Sequence, residues 1–124
     1  MITEIKSTAT TPHITLNYAK NIYLFEGESF PEDVNDYFDP IMQPLEDHLR
    51  KLQNGNIQMD FFLTYFNSAS TKVFFNLFSL LEDVSEFNSV TVNWKYHAED
   101  DTAEEFGQEF KEDLVNVEFN FVAI

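Results

Sequence analysis

The chain predicts an α/β fold: a mixed β-sheet with helices packed mainly on one face, in the order ββαβαβαβ, built as one domain over residues 1–124. Three observations lead there. Along the chain the apolar period switches repeatedly between two residues and about 3.6, the signatures of strand and helix. A hydrophobic content of 44%, with fourteen Phe among 124 residues, supplies one packed core, since each buried aromatic removes roughly 150–250 Å² from water. Strands that alternate with helices call for a mixed sheet with right-handed crossovers between its parallel strands.

The elements follow in order. Met1 to Pro12 is polar and Thr-rich, and residues 1–10 are expected to be flexible. His13 to Tyr18 alternates as a half-buried strand, and Asn21 opens a second through Ile22, Tyr23, Leu24 and Phe25, with the hairpin closing over Ala19-Lys20. After Pro31 the spacing of Val34, Phe38, Ile41 or Met42, Leu45, Leu49 and Leu52 is helical, with Arg50 and Lys51 in the last turn before Asn54-Gly55. Pro40 and Pro44 predict a kink or a restart inside it.

Ile57 to Phe66 reads as a strand with one apolar face, Ile57, Met59, Phe61, Leu63 and Tyr65. Phe62 and Phe66 on the other face predict a central strand covered on both sides. From Ser68 a helix follows, with Val73, Leu77, Leu80 and Val84 on one face and Phe74, Phe78 and Leu81 beside them. Val90, Val92, Trp94 and Tyr96 alternate with polar residues as a strand. Glu99 to Leu114 is an acidic helix with Ala103, Phe106, Phe110 and Leu114 as its buried stripe, and Val117, Phe119 and Phe121 form a last strand.

Charge and composition narrow the function. Seven basic against twenty-two acidic residues give −15, so phosphate-rich partners are repelled and nucleic acid and anionic membrane surfaces are disfavoured. A partner with a basic face is instead steered in, the more so at low salt. The chain has no Cys, which excludes disulfides and thiolate metal sites. No stretch resembles a signal peptide or a membrane span, and a cytoplasmic protein is expected.

Catalytic signatures are thin. His13, His48 and His97 show no ligand spacing, so no metal or other cofactor is expected. The segment Glu99-Asp100-Asp101-Thr102-Ala103-Glu104-Glu105 lacks the turn glycine and alternate carboxylates of a calcium loop. It reads as a helix start, with Asp100 or Asp101 as the cap. No Gly-rich phosphate cradle or Gly-x-Ser-x-Gly elbow occurs.

One junction remains, Asn67-Ser68-Ala69-Ser70-Thr71-Lys72, joining an apolar strand to an apolar helix. The carboxyl end of a central strand is where α/β sheets carry function. Ser68 is expected to be the N-cap or to lie within a residue of it. Capping alone accounts for a Ser here, so the junction by itself leaves function open.

Tyr65-Phe66-Asn67-Ser68-Ala69-Ser70-Thr71-Lys72 resembles the Tyr-Leu-Asn-Thr/Ser-Ser-Ser-x-Lys segment of the SiaC family of bacterial regulatory phosphoproteins. Glu26-Gly27-Glu28-Ser29-Phe30-Pro31-Glu32-Asp33 is similar to that family's Glu-Gly-x-Ser-Tyr-Pro-Glu-Asn/Asp. The strand Val90 to Tyr96 and the following Glu105-Phe106-Gly107-Gln108-Glu109-Phe110 resemble its Trp-x-Tyr strand and Glu-x-Gly-x-x-Phe helix. The resemblance implies a STAS-like domain of the anti-sigma-factor-antagonist type, with Ser68 as phosphoacceptor supported by Asn67, Ala69, Ser70, Thr71 and Lys72. It further implies partner switching. A protein kinase adds the phosphate, a PP2C-type phosphatase removes it, and the unmodified form binds and activates a diguanylate cyclase or similar output protein, governing biofilm formation or aggregation. Ala69 replaces a hydroxyl residue of the family pattern, and Lys95 and His97 stand where relatives carry Tyr and Asp. Two other readings are an adaptor that binds without being phosphorylated and a carboxylate-based enzyme.

Overall fold

The structure, a computed structural model, describes all 124 residues. Its elements run β1 (Ile2–Ile5), β2 (His13–Asn17), β3 (Ile22–Ser29), α1 (Val34–Lys51), β4 (Asn56–Phe66), α2 (Ser68–Val84), β5 (Ser89–Tyr96), α3 (Asp101–Glu112) and β6 (Glu118–Ala123). All six strands form one sheet in the order β1-β2-β3-β4-β5-β6. The first three pair antiparallel and β3 to β6 pair parallel, so the sheet is mixed as expected. Each helix links a parallel strand to its immediate neighbour, always stepping the same way. Right-handed crossovers of that kind place every helix on the same face.

Burial agrees with that layering. In β4, Ile57, Met59, Phe61 and Leu63 are buried and alternate with half-exposed Gln58, Asp60 and Phe62. Phe61 stands at the centre, with ring centroids 5.1 Å from Phe25 and 5.0 Å from Phe78. The opposite face is open and carries a polar ladder: Asn93 donates to Asp60 at 2.8 Å and Asn120 to Asn93 at 3.1 Å. Phe62 lies on this open face, its ring 5.1 Å from that of His97. The expectation of a central strand covered on both sides is thus corrected.

Four further differences have local causes. The order begins βββ rather than ββ, because Ile2–Ile5 pairs antiparallel with β2. Thr10 is tied down as well, its carbonyl accepting the Phe30 N–H at 2.8 Å. The β2–β3 connection spans Tyr18 to Asn21, and Asn21 takes the left-handed conformation (φ 55°) that Asn tolerates.

Helix α1 continues through Pro40 and Pro44 without a restart. Both prolines are exposed, so water can satisfy the carbonyls whose N–H partners they remove. Buried Phe38, Ile41, Leu45 and Leu49 hold the helix to the sheet. The fourth difference is at Tyr65, which is 53% exposed instead of sharing the buried face. A register shift between Gly27 (φ 113°) and Glu28 pairs Glu28 with Tyr65 and Ser29 with Phe66. The extra residue turns Tyr65 outwards and Phe66 inwards.

Helix α3 approaches the sheet closely. A Cβ on Gly107 would lie 2.6 Å from Phe121 Cε1 and 2.6 Å from Trp94 Cδ1, so only glycine fits there. The Trp94 indole N–H donates to the Ala103 carbonyl at 2.9 Å, which fixes the height of α3 over β5.

Candidate functional site

Strand β4 delivers its last residue, Phe66, into the core and hands the chain to α2 through Asn67. Asn67 is the N-cap: its side-chain oxygen accepts the Ser70 N–H at 2.9 Å. Its carbonyl accepts both the Thr71 N–H and the Thr71 hydroxyl, each at 2.9 Å. Its own N–H donates to the Ser29 carbonyl at 3.1 Å. Below this, the hydroxyls of Ser29 and Ser70, both fully buried, hydrogen bond at 2.9 Å. The turn is therefore sewn to the end of β3 by two bonds from different residues.

Ser68 is the first residue of α2 and is exposed, as are Ala69 and Lys72. With the Ser70 and Thr71 N–H groups engaged by Asn67, those of Ser68 and Ala69 are the members of the first turn without an intrahelical acceptor. The cap falls one residue before Ser68, within the expected margin: the Asn67 side chain accepts from Ser70, the third residue of the helix. The six residues singled out from sequence divide accordingly. Ser68, Ala69 and Lys72 form surface; Asn67, Ser70 and Thr71 hold the turn.

Sequence reasoning missed Ser29 as a structural partner and Phe30 as a neighbour of Tyr65, whose ring centroids are 5.6 Å apart, edge to face. The signal for Ser29 lay in the Glu-Gly-x-Ser block, which ends on it. Tyr65 thus stands at the surface three residues before Ser68 with its ring supported.

Electrostatics separate this turn from the other helix starts. Asp36 lies in the first turn of α1 and Asp101 and Glu104 in that of α3, whereas the first turn of α2 has no acid. No acid of its own first turn compensates the positive end of the α2 dipole, and Lys72 lies one turn further on. In the acidic segment, Asp100 is the α3 cap, accepting the Ala103 N–H at 3.0 Å.

The histidines do not converge. His13 meets Glu4 at 3.1 Å across β1 and β2, His48 on α1 meets Asn21 at 2.8 Å, and His97 lies past the end of β5. No helix is long and apolar enough to cross a membrane.

The model of the family described as SiaC family regulatory phosphoprotein matches residues 5–124. The chain belongs to this family. Family members of known structure share the fold. Apo-SiaC from Pseudomonas aeruginosa is 25% identical, with a TM-score of 0.83 over 99% of each chain. SiaC in the crystal structure of the diguanylate cyclase SiaD with its activator SiaC, from the same organism, is 25% identical, with a TM-score of 0.88 over 98% of this chain and 99% of that one. An uncharacterized protein of Pseudomonas aeruginosa strain UCBPP-PA14 is 27% identical over 110 residues, 88% of this chain and 86% of its own length. The SiaC family is thus one of bacterial regulatory phosphoproteins, and one member is a cyclase activator.

Proposed function

We propose that this protein is a phosphorylation-controlled partner switch acting in the cytoplasm, itself without catalytic activity. Its unmodified form binds and activates a diguanylate cyclase, and phosphorylation of Ser68 blocks that binding. A protein kinase and a PP2C-type phosphatase set the state. The observation that carries this reading is Ser68 itself, exposed as the first residue of α2 with no acid in its helical turn, inside a chain of the phosphoprotein family.

The physical argument has two halves. A phosphate adds roughly −1.5 to −2 charge. Free N–H groups and the helix dipole accommodate that charge at the first turn, so the fold survives it. A docked partner meets bulk and a desolvation cost at the same place. Losing about 3 kcal/mol of contact there weakens binding more than about a hundredfold.

Because Asn67 and not Ser68 caps the helix, Ser68→Ala is a surface change, expected to alter stability by less than about 0.5 kcal/mol. Ser68→Ala is therefore expected to bind the cognate cyclase as the parent does and to resist inactivation by the kinase. Ser68→Asp is expected to stay folded and bind poorly. Calorimetric titration of the cyclase with each variant decides it. Equal affinity of parent, Ser68→Asp and phosphorylated protein would leave the adaptor reading in its place.

A further inference from the structure

Helices α1 and α2 follow adjacent parallel strands and so run side by side in the same direction. On the flank of α1 that faces α2, Asn35, Asp39, Met42, Glu46 and Arg50 recur at spacings of four, three, four and four. On the facing flank of α2, Val73, Asn76, Leu80 and Asp83 recur at three, four and three. These two stripes border an open groove of about 430 Å³. Phe38, Leu77 and Leu80 are its buried floor, and half-buried Met42 and Val73 line its walls.

The charge along the rims is one-sided. Asp39 and Glu46 stand on the α1 side and Asp83 on the α2 side. Arg50, the only cation lining the groove, is committed: its Nε lies 2.8 Å from Glu46 and its terminal nitrogen 3.5 Å from Asp83. That bridge closes the far end, and no ion pair reaches Asp39. From Asn35 to Arg50 the rim spans about 22 Å at 1.5 Å per residue, about four helical turns.

An apolar floor between helix ridges accepts the apolar stripe of another helix, at i, i+3 or i+4, and i+7. The acidic rims select Lys or Arg beside that stripe. A second copy of this chain, also at −15, brings repulsion instead. A small molecule would be left exposed in a trough open along its length.

We propose that the α1–α2 groove receives an amphipathic, basic-flanked helix of the cyclase partner; this rests on the partner-switch reading above. Val73, at the groove's near end, is five residues from Ser68, about 7.5 Å along the α2 axis. One interface therefore covers both. Phosphate at Ser68 strengthens the long-range pull on a basic segment, so the block it imposes is local, by bulk and desolvation at the turn. Groove and turn then have separable effects: the groove supplies salt-sensitive affinity and the turn supplies the switch.

The test measures affinity for the cognate cyclase at low and high salt. It compares the parent, Asp39→Lys, Asp39→Lys/Asp83→Lys and a control of equal charge change on exposed positions elsewhere, Asp47→Lys/Glu109→Lys, with thermal melts to confirm folding. Asp39 is exposed and makes no ion pair, so its single substitution leaves the fold intact. The double groove variant is expected to bind about tenfold or more weakly at low salt, with a smaller loss at high salt, and the control within about twofold. Equal losses in groove and control variants, or none, overturn the groove. Ser68→Asp, run alongside, keeps the two claims apart: its unimpaired binding sinks the switch, whereas groove indifference with Ser68→Asp impaired sinks only the groove. Absence of any cyclase binding by the parent sinks both.

Discussion

Gly107 and Glu82 show how far single residues set this architecture. At Gly107 an added methyl meets the rings of Trp94 and Phe121 at 2.6 Å, and Trp94 is buried and held by its bond to Ala103. Gly107→Ala gains about 1 kcal/mol of helix propensity but overpacks a tight contact, which typically costs about 1–3 kcal/mol. Because the indole cannot swing away, the clash should win, and urea denaturation should show net destabilisation. A stabilised variant would show that α3 is free to lift. Glu82 works differently. Its carboxylate accepts from the N–H groups of Val115 and Asn116 at 3.0 and 3.1 Å and clamps the loop from α3 to β6 onto α2. Glu82→Ala is expected to cost about 1 kcal/mol, a charged-acceptor bond discounted for solvent exposure. Hydrogen exchange at Asn116 should accelerate in that variant.

Among the elements, those with strong apolar patterns were legible before any coordinates. The alternation in β5 and most of β4 and the stripe of α2 gave strand, helix and buried face directly from residue spacing. Helix α3, by contrast, ends at Glu112, short of the expected Leu114, and buries Gly107 beside Ala103 and Phe110 while Phe106 stays half-buried. What escaped depended on a neighbour. The outward turn of Tyr65 follows from the extra residue Thr64, which pairing with β3 leaves unmatched between Leu63 and Tyr65. Strand β1 has only four residues, of which just Thr3 and Ile5 are half-buried, so it becomes a strand through pairing with β2. Helix α1 survives two prolines because its core face outweighs two missing hydrogen bonds. At the site, the position of Ser68 was readable, while the assignment of the cap to Asn67 needed the hydrogen bonds.

The hairpin end also carries a pH signature. The Tyr23 hydroxyl donates to Asn21 at 3.0 Å, and burial, reinforced by Tyr18, pushes its pKa well above the ordinary value. Tyr18 is raised by burial too. A group whose folded pKa is raised stabilises fully below its unfolded pKa, about 10 for Tyr, and loses that contribution as pH climbs towards the folded value. The melting temperature should therefore fall above about pH 10, and fall less steeply in Tyr23→Phe. An identical alkaline slope in the two proteins would remove Tyr23 as the cause.

For the molecule as a whole, the net charge of −15 acts on stability and on partners alike. Self-repulsion opposes the compact state and is screened by salt, so the melting temperature should rise between low and physiological ionic strength. A flat or falling trend would show that local ion pairs outweigh the overall field. The same net charge repels polyanions and attracts basic protein surfaces. Under the proposed switch, phosphorylation of Ser68 adds to a fold already rich in negative charge, so its placement at an acid-free helix start matters more than its addition to the total.

The most direct measurement is a binding titration of the cognate diguanylate cyclase with unmodified and with fully Ser68-phosphorylated protein, alongside circular dichroism of both forms. The account predicts superimposable spectra and an affinity at least about a hundredfold weaker for the phosphorylated form. Equal affinities, or a loss of binding that accompanies unfolding, would contradict it.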